Sequence, residues 1–325
     1  RDLALAIAEY APGAEVVAAG HVWRSAGLKV LPERRLEETR YFECDCGTVV
    51  TARGTNEITE CSGCGQAVQR GMRRYIRPEF GFVTSDEKPR RSGTRRPERQ
   101  YASRIAFESY VGGAAPEFIE RWPGLRIGRP LVGRFLTINK GRGVGFRLCQ
   151  DCGFAEPVIL ALRRSRSREH RRPHGGMCRG QLTWGVDLGH DFLTDVLELR
   201  IDPALAPFPS NWASIAYAIL EGVTQALGIR REDLNATWRR GRDDNGCVFL
   251  YDAVPGGAGH VARIYEHMPN ALAEALRRVS ECSCEETTSC YECLRSFGNQ
   301  RFHTQLSRGV AKTFLESVLG VAAVA

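Results

Sequence analysis

Eleven of the 12 cysteines stand in three local groups, and no other feature of this 325-residue chain restricts its fold as strongly. The close pairs are separated by only one or two residues, too near for unstrained disulfides but well spaced for a shared metal ion. Group one is Cys44-x-Cys46, then 14 residues, then Cys61-xx-Cys64, with Gly47 and Gly65 directly after the pairs. Glycine there lets the backbone turn so that both sulfurs face one ion, and two such pairs across a hairpin-sized loop make a zinc ribbon. Group two is Cys149-xx-Cys152-Gly153 followed by Cys178, one ligand short. His170 and His174 both lie near, and His174 is preferred because it precedes Cys178 by four residues, a common reach for a ligand pair. Group three, Cys282-x-Cys284, five residues, Cys290-xx-Cys293, is a knuckle too compact to be held by burial alone, so it requires its metal. Each set fills its ion's coordination with protein ligands, which marks structural zinc; catalytic zinc keeps a position for water. Three structural zinc ions and a reducing, cytoplasmic setting follow. Cys247, alone in a strand-like segment, reads as a small core residue, and His303 as a packed helix residue.

Charge divides the chain. Residues 1–181 hold 32 Lys+Arg against 20 Asp+Glu (+12), and residues 182–325 hold 13 against 18 (−5). Formal charges of −2 on a tetrathiolate zinc site and −1 on a Cys₃His site leave the contrast in place. Only four of the 45 basic residues are lysines, and arginine's planar head suits phosphate contacts. Arginine-rich coding preference accounts equally for the bias toward arginine, but not for the contrast between halves. Arg90, Arg91, Arg95, Arg96 and Arg99, in a segment poor in apolar residues, and Arg163, Arg164, Arg166 and Arg168, between the halves of group two, are the candidate nucleic-acid contacts. No stretch is apolar enough to span a membrane. The chain opens on Arg1 with no basic-then-apolar leader, and we expect it to be part of a longer polypeptide.

These signals predict an α+β fold, a small mixed α/β domain carrying zinc-ribbon and zinc-knuckle modules. The segments are a short β-rich cap at 1–36, a zinc ribbon at 37–75, an Arg-rich linker and irregular region at 76–145, a second zinc module at 146–184, an α/β domain at 185–281, and the knuckle with a C-terminal helix at 282–325. Within the α/β domain, Phe192–Ile201, Leu234–Trp238 and Val248–Val254 read as strands. A helix capped by Asn211 runs from Trp212 to Leu227 and ends at Gly228.

No phosphate-cradling GxxxxGK[ST] loop, Asp-Glu-x-His/Asp box, Gly-x-Ser-x-Gly elbow or His-Glu-xx-His helix occurs. Pro255-Gly256-Gly257-Ala258-Gly259-His260 follows a strand and opens a helix. It offers backbone N–H groups to a phosphate, but a tight strand-to-helix turn explains it better.

Asp252-Ala-Val-Pro-Gly-Gly-Ala-Gly-His260, the knuckle cysteines, Cys290-Tyr291-x-Cys293-Leu294-Arg295-Ser296 and Asn299-Gln300-xx-His303-xx-Leu306-x-Arg308 together resemble the zinc-binding C-terminal (MZB) domain of Mrf-type superfamily 2 DEAD/DEAH-box helicases. Leu188–Leu197 is similar to that family's lead-in, so the resemblance runs over 146–325. It implies a DNA-dependent ATPase motor N-terminal to this region, or else a separate MZB-domain subunit of DISARM-type anti-phage defence that partners a helicase. It also implies zinc on Cys282, Cys284, Cys290 and Cys293, and carries over no catalytic residue. The expected function is a non-catalytic DNA-handling module of a bacterial ATP-dependent helicase in repair or phage defence, with DNA and a helicase motor (in cis or as a separate subunit) as partners. A metal-dependent nuclease using Asp187, Asp195, Asp202 or Asp252, and a protein–protein scaffold that docks a helicase, are the alternatives.

With neither a phosphate-cradling loop nor a magnesium-holding acidic box, the chain alone is expected to show no ATP turnover, with or without DNA. A coupled ATPase assay checks this; turnover that persists through further purification contradicts it.

Overall fold

The computed structural model describes residues 3–52, 57–68, 71–93, 104–161, 169–206, 212–241 and 245–320. Helix α1 (Leu3–Glu9) buries Ala6 and Ile7, so the N-terminal cap is not made of strands alone. Strands β1 (Glu15–Ala18) and β2 (His21–Leu28) form a hairpin. Its two turn residues, Ala19 and Gly20, both take left-handed angles (φ 48° and 73°), which suit the strand twist of a two-residue loop. Strands β3 (Glu38–Glu43), β4 (Val49–Ala52) and β5 (Arg73–Ile76) carry the first cysteine group. Strands β6 (Phe82–Thr84) and β7 (Arg90–Arg91) pair with β2 to complete a small antiparallel sheet.

The region expected to be irregular, 76–145, contains four strands of the main sheet: β8 (Arg104–Tyr110), β9 (Phe118–Trp122), β10 (Leu125–Gly128) and β11 (Leu131–Asn139). Their arginines obscure the strand pattern in the sequence. In the fold Arg104 reaches Glu43 and Arg134 reaches Asp191, while Phe107, Phe135, Leu136 and Ile138 are buried beneath them.

Strands β12 (Phe146–Cys149) and β13 (Ala155–Pro157), the short helix α2 (Val158–Ala161), and the hairpin β14 (His170–Arg171) with β15 (Met177–Cys178) make the second cysteine module. Then comes β16 (Leu182–Ile201), a strand of 20 residues and the spine of a sheet with 12 strands among the described residues. Moving along it, β16 pairs with β12 near Leu182–Val186, in parallel with β5 at Val186–Leu188, with β11 at Leu188–Val196, and with β10 and β18 (Gly246–Asp252) towards Ile201. Sequence patterning recovers only its second half, because Gly185, Asp187, Gly189 and His190 break the apolar pattern of the first. Gly189 is required there: a Cβ would sit 2.3 Å from the Tyr75 ring. Since β5 also carries β3 and β4, the ribbon, the second zinc module and the α/β segment share one hydrogen-bonded sheet.

Helices α3 (Trp212–Leu227), α5 (Met268–Glu281) and α6 (Arg308–Leu319) cover one face of the sheet; β17 (Leu234–Arg240) and α4 (His260–Glu266) complete the chain. Leu197, Leu199, Ile201, Val248 and Leu250 point into that helical layer. Residues of opposite parity (Phe192, Phe249 and Tyr251, with Phe107 and Phe135) form an aromatic cluster on the other face, as the two-residue strand period requires. Phe107 and Phe249 stack there with centroids 4.2 Å apart. Helix α3 buries residues all round its circumference and reads as a core helix. Asn211, its expected cap, lies outside the described residues. Pro269 sits in the first turn of α5, where its missing N–H has no partner to lose. Phe314 and Val318 of α6 are buried and Val310 is half-buried, while Leu306, also buried, precedes the helix. Among the described residues no helix is long and apolar enough to cross a membrane.

The α3–α5 contact is closed at Gly222, where a Cβ would meet the Ala271 carbonyl oxygen at 2.3 Å and Ala275 Cβ at 2.6 Å. Backbone cannot yield as a flexible side chain can, so Gly222→Ala should lower stability by about 1–3 kcal/mol, the usual cost of overpacking. A urea titration of both proteins measures it, and an unchanged midpoint would contradict this packing.

Candidate metal centres

The β3–β4 hairpin presents Cys44 and Cys46 at its tip, and the loop closed by the Glu60–Ala67 bridge presents Cys61 and Cys64 opposite them. Gly47 (φ 98°) donates its N–H to the Cys44 carbonyl, and Gly65 (φ 76°) to that of Cys61, forming the turns expected of those glycines. Sulfurs Cys44–Cys64 and Cys46–Cys61 lie 3.5 and 3.6 Å apart. A tetrahedral zinc with Zn–S near 2.3 Å puts its sulfurs about 3.8 Å apart, so the four thiols fit one ion.

In the second centre, Cys149 and Cys152 stand on the turn between β12 and β13. Gly153 N–H bonds the Cys149 carbonyl at 2.9 Å there. The other two ligands come from the β14–β15 hairpin, where His170 and Cys178 are directly opposite. Side chains of such a pair leave the ribbon on the same face. His170 is buried, with Nε2 3.3 Å from Cys152 Sγ, and completes the group Cys149, Cys152, His170, Cys178. His174 is corrected accordingly. It is exposed on the turn of that hairpin and is not among the residues placed to share the ion. Distance along the sequence to Cys178 is a poor guide because the hairpin folds back at 172–176.

In the third centre, neighbouring sulfurs of Cys282, Cys284, Cys290 and Cys293 lie 3.4–3.8 Å apart, again close to the zinc tetrahedron. Two arginines hold the knuckle on the helices. Buried Arg308 donates to the carbonyls of Cys284 (3.0 and 2.7 Å) and Val279 (2.8 Å), and Arg278 donates to that of Cys293 (3.0 Å). Sequence patterning misses both. N–H···S bonds from Cys290 to Cys293 Sγ (3.2 Å) and from Gly180 to Cys178 Sγ (3.3 Å) favour thiolates, the form that binds metal. His303 stays off the metal, its Nε2 near the Ser296 carbonyl and Asn299 Oδ1. Cys247 is buried in β18, and that burial pushes its thiol up to about 12, as suits an inert core residue.

Among the described residues these three tetrads are the only groups of His, Cys, Asp or Glu placed to share an ion. Of the aspartates considered for a nuclease centre, three accept hydrogen bonds within the fold. Asp187 accepts from Tyr41 (2.6 Å) and from Arg73 (2.7 and 2.6 Å), and Asp202 accepts from Ala204 N–H. Asp252 accepts from the N–H groups of Ala258 (2.5 Å) and His260 (3.2 Å), and Asp195 sits against Gly257. Asp252 thereby takes up N–H groups that the glycine-rich turn would otherwise offer a phosphate. Arg90 pairs with Glu15 at 2.8 Å and Arg91 is exposed in β7. Arg95, Arg96, Arg99, Arg163, Arg164, Arg166 and Arg168 lie outside the described residues.

Residues 215–294 match the MZB family, described as the MrfA Zn-binding domain. Over 98% of its length the chain is 25% identical to the Druantia protein DruE of Escherichia coli (strain UMEA 4076-1), and it spans 19% of that relative. Solved structures of the DUF1998 helicase MrfA are also similar. One shows MrfA alone (11% identity, 89% of this chain, 28% of that chain, TM-score 0.37) and one shows it bound to DNA (12% identity, 70% and 26%, TM-score 0.37). The matched segment, residues 215–294, runs from α3 through the third cysteine group.

Three zinc ions per chain are expected by plasma mass spectrometry on undialysed protein. His170→Ala should lower the count to two while His174→Ala keeps three. The opposite pattern would restore His174 as the ligand.

Proposed function

We propose that this chain is a non-catalytic, zinc-organised DNA-handling module serving an ATP-dependent helicase motor, carried in the same polypeptide or in a partner subunit, in bacterial DNA repair or anti-phage defence. The observation that carries the reading is the MZB match across α3, the β17–β18 hairpin, α5 and the third cysteine group. That family is described by MrfA, and a solved structure of MrfA is titled as a helicase bound to DNA. The basic first half adds a polyanion-binding tendency that a helicase accessory surface needs. Structural zinc suits this role: ions with filled coordination rigidify loops without supplying a reaction centre. Cytoplasmic placement accords with the free thiols that the three centres require.

Two rivals differ in what they predict. A nuclease would require a carboxylate cluster open to Mg²⁺, whereas Asp187, Asp202 and Asp252 accept hydrogen bonds within the fold and none of the four joins a group placed to share an ion among the described residues. A pure scaffold would leave its arginines solvated and indifferent to DNA.

Salt dependence of DNA affinity, read by fluorescence anisotropy on single- and double-stranded oligonucleotides, tests the proposal. Affinity should fall steeply with salt. Replacing Arg90, Arg91, Arg95 and Arg96 with alanine should shallow the log–log slope by about 0.7–0.9 for each phosphate no longer neutralised, at unchanged zinc content. Because Arg90 already has Glu15, its share should be the smallest. Absence of DNA binding would leave the scaffold reading, and cleavage in Mg²⁺ would point to the nuclease.

A further inference from the structure

Where the ribbon docks on the main sheet, a cavity of about 200 Å³ opens among Ser62, Gly63, Glu198, Arg200, Arg239, Asn245 and Cys247. Its wall on one side is the turn Cys61-Ser62-Gly63-Cys64, anchored at both ends by ligands of the first zinc centre. The opposite wall is β16 and the β17–β18 hairpin. The two walls are tied together: Arg240 N–H bonds the Cys46 carbonyl at 2.7 Å, and Arg239 Nη1 donates to Thr48 Oγ1 at 3.1 Å.

One guanidinium in this cavity lacks a carboxylate partner among the described residues. Glu198 is 1% exposed and fully engaged, accepting from Tyr110 at one oxygen and from Arg200 Nε (2.8 Å) at the other. Arg239 forms none of the ion pairs found among the described residues. Its guanidinium lies over the rings of Phe107 and Phe249, 5.6 and 5.4 Å from their centroids, and its Nε is buried with no hydrogen-bond acceptor. A buried donor on a cation left without an acceptor is costly, and a native fold seldom keeps one without a use. The arginine is also held in place by a steric requirement. A Cβ at Gly63 would come within 2.3 Å of Arg239 Nη1 and 2.0 Å of Thr48 Oγ1, so glycine is needed there for the guanidinium to reach its position.

We infer that this cavity is an oxyanion site that binds a phosphate group, with Arg239 as the principal cation, Arg200 beside it, and the Ser62 hydroxyl and Asn245 amide as further donors. Guanidinium N–H groups match phosphate oxygens in spacing and charge. The size admits one phosphate and excludes a duplex running through, so the ligand is inorganic phosphate or a terminal phosphate on a nucleic acid. The inference stands on the buried, unpartnered Nε of Arg239 beside the cavity and does not depend on the helicase reading.

Calorimetric titration of the whole chain with inorganic phosphate, in a chloride buffer of matched ionic strength, is the test. Wild type should bind one phosphate per chain. Asn245→Ala should weaken binding several-fold, and Arg239→Gln by tenfold or more, since a charge-assisted hydrogen bond contributes about 1.5–3 kcal/mol. Asn245→Ala removes no bond to the ribbon, so it remains informative even if Arg239→Gln loosens the docking. Zinc counts of three in both variants would show the ribbon intact. No phosphate binding by wild type, or equal binding by wild type and both variants, overturns the inference. A second titration compares one oligonucleotide with and without a 5′-phosphate. Tighter binding of the phosphorylated form identifies a nucleic-acid end, and equal binding identifies free phosphate, in either case only where the first titration has found the site.

Discussion

Hydrogen bonding along β16 is the constraint on which the rest of this structure depends. One strand of 20 residues presents edges long enough for five others, and it brings together segments that lie far apart in the chain. Its first residues, with β12, adjoin the second zinc centre. Its middle accepts β5 in parallel, and with β5 comes the ribbon of the first centre. Its last residues carry the helical layer against which the third centre is built. Charge follows the same geometry: Asp187, fully buried on β16, is matched by Arg73 on β5 and Tyr41 on β3, so the parallel join is also an ionic and hydrogen-bonded one. Burial beside that carboxylate pushes the Tyr41 phenol well above its ordinary range, keeping it a neutral donor.

The zinc centres do what apolar packing cannot do at the margins of that sheet. Each lies where loops with few apolar side chains must keep a defined shape, and the first and third are also joined to the sheet or helices by hydrogen bonds to their backbone carbonyls. At the ribbon these are the Arg240–Cys46 bond and the Arg104 bond to the Gly47 carbonyl (3.2 Å). At the knuckle they come from Arg308 and Arg278. In small modules, structural zinc supplies about 10–16 kcal/mol of apparent binding energy, comparable to the whole stability of a domain. These arginines are therefore better seen as parts of the fold than as surface charge, and this revises the value of arginine counts as a guide to nucleic-acid contact.

What was legible in the sequence, and what was not, follows from the range of each signal. Cysteine spacing is local, and it located all three centres, with a trailing glycine as a further mark at the first two. The helix at Trp212–Leu227 and the C-terminal helix were legible, whereas the short helix Leu3–Glu9 was not. The strands of 104–139 were hidden because their charged residues pair across the sheet, and a partner at long sequence separation leaves no mark nearby. The first half of β16 was hidden by its glycines and polar residues, among them Gly189, which leaves room for the Tyr75 ring. His170 was legible in principle. Pro173, Gly175 and Gly176 mark a hairpin turn, and folding the chain at that turn sets His170 opposite Cys178 and leaves His174 at its tip. Counting residues to Cys178 ignores the turn. The clamp by Arg308 had no sequence signal of its own beyond its place in the motif that resembles the MZB family.

The central claim is that zinc with filled coordination, and not zinc poised for chemistry, organises this molecule. X-ray absorption at the zinc edge of the intact chain tests it most directly. Eleven cysteines and one histidine across three centres predict a first shell dominated by sulfur at about 2.3 Å, with one nitrogen for every eleven sulfurs and no water oxygen. A light-atom shell near 2.0–2.1 Å amounting to one ligand or more per zinc would mean an open position at each ion, and would contradict the account.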